Sequence, residues 1–195
     1  MEAMEFFRLS EGRWQSQRTT HHLLLRRSEI GQTEILVEVL AVEYPKVVEI
    51  CHLHQIDASL VIGGCQVSWK GSMAWDNQSD AHEGSTVFVL VPDGSDAQQG
   101  KLLRERGYAE SVPVVGRYQV DGEGLILTTE YETMSSVERF CFLNDNVRLR
   151  TNTVKQFGGF SAASFCTERR IIDGETDDIS DNLTSQFLEF TPLGW

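Results

Sequence analysis

The chain is short of basic residues and of paired cysteines, and each shortage narrows what it can be. Lys and Arg together number 17 against 29 Asp and Glu, a net charge of −12. That balance argues against a nucleic-acid backbone or an anionic membrane as the main partner, while leaving room for a local basic pocket that receives a small anion. The four cysteines, Cys51, Cys65, Cys141 and Cys166, show no metal-ligand spacing. We therefore expect no metal, and a reduced, cytoplasmic protein with buried free thiols. No run approaches the ~20 apolar residues that span a bilayer. The start, Met1-Glu2-Ala3-Met4-Glu5, lacks the basic and apolar regions of a signal peptide. Also missing are G-x-S-x-G, a P-loop, H-E-x-x-H and a dinucleotide fingerprint. No nucleophile stands beside a base.

What is present is a period of two. Ile35, Val37 and Val39 alternate with Leu36, Glu38 and Leu40, and Val87, Val89 and Val91 interleave with Thr86, Phe88 and Leu90 to give a strand apolar on both faces. Residues 125–133, 137–143 and 147–154 have the length and the β-branched or aromatic content of strands. Turn signals at 121–124 and at Asn144-Asp145-Asn146 join them so tightly that neighbours must be antiparallel, which makes about 112–170 a meander. Two segments break the pattern. Pro45 to Gln55 carries Val47, Val48, Ile50, Cys51 and His54 at helical spacing, and Met4 to Ser10 reads as a second short helix. Neither can build a core alone. The expected architecture is all-β, a curled antiparallel sheet closed or nearly closed with helices at its mouth. One domain over 1–172 is expected, followed by an acidic tail, 173–195, whose composition predicts flexibility.

Candidate site residues lie on these strands. Period two sends Trp14, Ser16, Arg18, Thr20 and His22 to one face, and Gln15, Gln17, Thr19 and His21 to the other. Neither face is apolar before Leu23, which suits a ligand-filled lumen or an exposed edge strand. Arg148 and Arg150 share a face about 6.6–7 Å apart, where two guanidiniums repel unless solvated or bridged by anions. Facing inward, they suit a ligand bearing two carboxylates on an apolar frame; facing outward, they are a solvated surface. On the inward reading, replacing both by Gln weakens ligand binding and leaves the fold intact. Trp69 and Trp75 share a face if the strand runs through Gly71 without a bulge, and suit a flat conjugated ligand or a packed core equally. Asp76 follows directly, and Glu138 begins the strand paired with that of Arg148. An acid in an apolar cavity can donate a proton near neutral pH, whereas an exposed one at a strand end is ordinary. His21 and His22, being adjacent, cannot chelate one metal together.

Gly12-Arg13-Trp14 resembles the G-x-W of lipocalins, in which the Trp plugs one end of a barrel; a plain core Trp is the alternative. The run Phe6 to Leu25 as a whole resembles the N-terminal signature of the S-type phycobiliprotein lyases, the CpcS/CpeS family. So do Val67 to Asp76, His82 to Thr86, Gly100 to Ala109, Thr129 to Glu132, Arg148 to Thr151 and Phe157 to Cys166, in family order across about 4–170. The resemblance implies a lipocalin-like, fatty-acid-binding-protein-like antiparallel β-barrel of about ten strands with one or two short helices. It implies a bilin lyase that binds free phycocyanobilin or phycoerythrobilin without a covalent bond, then promotes thioether attachment to a cysteine of a phycobiliprotein apo-subunit. The bilin is a substrate and no permanent cofactor is expected. Trp14, Arg18, Trp69, Trp75, Arg148 and Arg150 are implied to bind it, and Glu138, Asp76 and His21 to act in catalysis. The nucleophile would be the partner's cysteine, and the setting a cyanobacterial cytosol or plastid stroma. A monomer, a homodimer and a heterodimer with a related lyase subunit all stay open. A bilin carrier that transfers nothing and a silent partner subunit remain as alternatives. Leu24-Leu25 departs from the smaller or aromatic pair usual in the family.

Overall fold

The computed structural model describes residues 1–73, 82–106, 112–122, 124–156 and 159–172. Helix α1 (Ala3–Ser10) leads into β1 (Gly12–His22) and β2 (Arg27–Leu40), and α2 (Pro45–Leu53) precedes β3 (Gly63–Met73). Then come β4 (His82–Asp93), β5 (Asp96–Arg104), β6 (Val114–Asp121), β7 (Gly124–Glu130), β8 (Met134–Asn144), β9 (Val147–Gln156) and β10 (Gly159–Arg170). Each strand pairs antiparallel with its neighbours in sequence, so the meander expected for the second half extends to the whole chain. Pairing of β1 with β10, from Trp14 opposite Arg170 to His22 opposite Ala162, closes the ten strands into a barrel. β1 is therefore no edge strand: β2 binds its other side over its whole length. Among the described residues no helix is long and apolar enough to cross a membrane.

Closure explains why β4 is apolar on both faces. Phe88 and Leu90 point into the barrel, where they join Trp14, Ile35, Val37, Cys65, Leu102, Tyr118, Leu125 and Leu127. Val89 and Val91 point outward, to a second cluster with Leu40 and Leu103 under Val47, Ile50 and Cys51 of α2. α2 thus clads the outer wall rather than standing at a mouth, a correction to the sequence reading. Its amphipathic stripe needs an apolar partner, and only an outward apolar stripe on the sheet offers one.

α1 takes the end of the barrel. Ala3, Met4, Phe6 and Phe7 are at most 5% exposed and pack into the inner cluster. The Phe6 ring lies 5.1 Å from Phe142 and 6.2 Å from Phe140. Arg170 donates from Nη2 to the Leu9 carbonyl at 2.6 Å and from Nη1 to the Glu11 carbonyl, satisfying acceptors that the C-terminus of a helix leaves open.

Candidate ligand-binding lumen

Because side chains alternate along each strand, one parity at every strand lines the lumen. On β1 that set is Trp14, Ser16, Arg18, Thr20 and His22, with Trp14, Ser16 and Thr20 buried. His21, expected in the site, is exposed on the outer face and is not brought to the lumen. Trp14 sits at the floor and is 0% exposed. Its Nε1 donates to the Ser10 carbonyl at 2.8 Å, and the guanidiniums of Arg148 and Arg170 stack on its ring at 4.5 and 4.3 Å. The indole is thus part of the plug, already covered by protein cations.

Arg148 and Arg150 do face inward. Strand register sets Ser16, Glu168, Arg148 and Phe142 in one row across β1, β10, β9 and β8, and Arg18, Cys166, Arg150 and Phe140 in the next. Glu168 is 0% exposed and Arg148 4%. Arg148 Nε donates to Glu168 Oε2 at 2.5 Å, Arg150 Nε lies 3.1 Å from Glu168 Oε1, and Ser16 Oγ is 3.4 Å from the same oxygen. Arg150 Nη1 stands 3.5 Å from Glu138 Oε1. The two arginines therefore meet two carboxylates of their own chain.

This revises the reading of the pair. The mutual repulsion expected from spacing is real, but a protein carboxylate relieves it. Burial alone pushes the Glu168 carboxyl up, yet Arg148 and Arg150 beside it outweigh that and hold it below the usual carboxylate range. Burial pulls the Arg148 guanidinium down from its ordinary value, against the attraction of Glu168. Arg148 is a structural cation at the floor. Arg150, with 23% of its side chain exposed, and Glu138, with 13%, remain reachable from the lumen.

Trp69 lies partly buried on the inner face of β3, paired with Gly84 of β4. A Cβ at Gly84 would stand 2.6 Å from Trp69 Cζ2, so the indole fits over β4 because that position has no side chain. β3 runs through Gly71 in unbroken register with β2, with no bulge there. Trp75 and Asp76 lie outside the described residues, as does the 173–195 tail.

Sequence reasoning missed two lumen residues. Glu168 sits among polar neighbours at the end of β10, and only closure of β1 on β10 carries it inside. Arg104, 2% exposed, places its guanidinium 4.8 Å over the Phe88 ring, at the end of a strand whose polar run gave no periodic signal. The thiols in this interior are poor nucleophiles: burial pushes Cys65 up to about 12 and raises Cys166 as well.

The fold and its lining define a calyx-like barrel: ten antiparallel strands plugged at one end by a helix, with guanidiniums, carboxylates and an indole on the inner wall. The chain belongs to the CpeS-like family, whose model matches residues 2–171. Its relatives include a chromophore lyase CpcS/CpeS 2 of Synechocystis, 56% identical with all of both chains covered. Another is a phycocyanobilin lyase subunit CpcS of Picosynechococcus, 58% identical over 87% of this chain and 86% of that one. The solved S-type phycobiliprotein lyase CpeS of Guillardia theta superposes with a TM-score of 0.78 at 29% identity, covering 88% of this chain and 94% of that one.

Proposed function

We infer that this barrel is a bilin lyase: it holds a free phycobilin non-covalently in its lumen and promotes formation of a thioether between that bilin and a cysteine of a phycobiliprotein subunit. The observation that carries the reading is the ionic pair of Arg150 and Glu138 on the inner wall, with 23% and 13% of their side chains exposed. An open-chain tetrapyrrole offers two propionates, a conjugated face and a row of pyrrole N–H groups. Arg18 and Arg150 flank Cys166 in adjacent strand positions and suit the propionates. Trp69 suits the conjugated face. Glu138 accepts from pyrrole N–H groups or passes a proton to the π-system, which makes the ring-A ethylidene more electrophilic. Trp75 keeps the binding role that the family resemblance implies, and Asp76 stays the alternative to Glu138 as proton donor. The lyase contributes proximity and a single exposed face of the bilin, while the nucleophile comes from the acceptor. The thiols buried here are held protonated, consistent with that division of labour. We place the reaction where phycobiliproteins are assembled, in a cyanobacterial cytosol or a plastid stroma.

The test is to mix the protein separately with phycocyanobilin and phycoerythrobilin, then with candidate apo-subunits, and to look for a denaturant-stable adduct on the acceptor. A spectral change without an adduct would make the protein a carrier. No spectral response to either bilin would make it a silent subunit.

A further inference from the structure

His22, not His21, is the imidazole on the lumen side of β1, at the end farthest from α1. Its Nε2 lies 2.9 Å from Glu29 Oε2, with 30% of the His22 side chain exposed and 11% of the Glu29 side chain. Glu29 reaches it from β2, where it pairs in register with Thr20 on the same inner face. Thr20 Oγ1 is in turn 2.9 Å from Ser164 Oγ of β10. Nδ1, the other ring nitrogen, has no hydrogen-bond partner among the described residues. A carboxylate that accepts from one ring N–H fixes the tautomer and leaves the second nitrogen with a lone pair, the arrangement required of a general base. β10 presents Ala162 and Ser164 beside this pair, and β9 presents Asn152 and Val154, none of which titrates. Arg26 and Arg27, in the turn between β1 and β2, are exposed.

Among the described residues, α1 and Trp14 plug the opposite end of the barrel, which favours the His22 end as the approach for an acceptor thiol. We propose that His22, oriented by Glu29, is the base that takes the proton from the acceptor cysteine as its sulfur adds to the lumen-bound bilin. This rests on the bilin-lyase reading. The thiol S–H bond breaks, with its proton going to Nδ1, and a carbon–sulfur bond forms at the outer carbon of the ethylidene. The displaced π pair ends as a C–H bond on the neighbouring ring carbon. One proton leaves sulfur and one enters carbon, so the step is an addition that needs no oxidant and expels no leaving group.

The experiment uses the full chain with His22→Gln and Glu29→Gln variants. Bilin affinity is read by absorbance titration, and transfer to the apo-subunit is followed from pH 6 to about 9. For His22→Gln we expect unchanged affinity and transfer slowed on the order of 10²-fold at neutral pH. The deficit should shrink as the pH passes the ordinary thiol pKa of about 8.5, where thiolate forms unaided. Glu29→Gln keeps the base but loses its orientation, so it should fall between the two. Equal rates in His22→Gln and the wild type at neutral pH would overturn the proposal. So would a deficit that persists undiminished at high pH, or one that follows a loss of bilin affinity. Failure of the wild-type protein itself to bind or transfer bilin would instead overturn the bilin-lyase reading.

Discussion

Glu168→Gln removes one negative charge from a position that is 0% exposed and changes the side chain's shape very little. In the wild type that carboxylate contacts Arg148 at 2.5 Å and Arg150 at 3.1 Å. The neutral amide leaves Arg148, itself 4% exposed, without an ion-pair partner among the described residues. Breaking a buried pair by removing one partner costs ~3–5 kcal/mol, because the surviving charge stays desolvated. For a domain of this size each kcal/mol moves Tm by ~2–4 °C, so Tm should fall by ~6–20 °C. Urea unfolding should show a lower midpoint at unchanged slope, since the surface exposed on unfolding is the same. The pH dependence has a definite sign. Glu168 is held below its unfolded value, so its stabilisation is fully present above about pH 4.3 and is lost as the pH falls through the folded value. The gap between wild type and variant should therefore narrow on acidification below about pH 4. A deficit under ~1 kcal/mol at neutral pH, or one that widens in acid, would refute the assignment of Glu168 as the floor's counter-ion.

The two arginines should separate in the same assays. Arg148→Gln should destabilise the fold more than Arg150→Gln, since it removes the closer and more deeply buried of the two cations that Glu168 meets, at 2.5 Å against 3.1 Å, whereas Arg150→Gln leaves the Arg148–Glu168 pair in place and should weaken bilin binding by ~1.5–3 kcal/mol in a titration. It departs from the expectation that both could be replaced with the fold intact, because Arg148 and Glu168 are buried together. Gly84→Ala should displace the Trp69 indole, its new Cβ being 2.6 Å from Cζ2, and so shift the absorption of bound bilin; a spectrum identical to the wild type would remove Trp69 from the chromophore's surroundings. Glu138→Gln should keep bilin binding but alter its bound spectrum or slow transfer to the acceptor, and a variant unchanged in both would take Glu138 out of the mechanism.

Many of the strands, both helices and the tight turns were legible because their causes are local, whereas β5, with its polar run, was not. Alternation along Ile35 to Leu40, the helical spacing after Pro45 and the Asn144-Asp145-Asn146 turn all act within a few residues. The side of a strand was legible too: Trp14, Ser16 and Thr20 share a face by period alone. Whether that face was the hollow or the rind was not written locally, because it depends on which way the closed sheet curls. Nor was the partner of Arg148. The sequence offers many carboxylates, and Glu168, 20 positions away, becomes the one in contact only because β10 lies between β9 and β1 and brings it opposite Ser16 and Arg148. The same closure turned His21 outward and set His22 against Glu29. Residue types and periods are short-range properties that the chain alone can state. The pairing of charges across a barrel is a property of registers between distant strands, and those exist only once the sheet has closed.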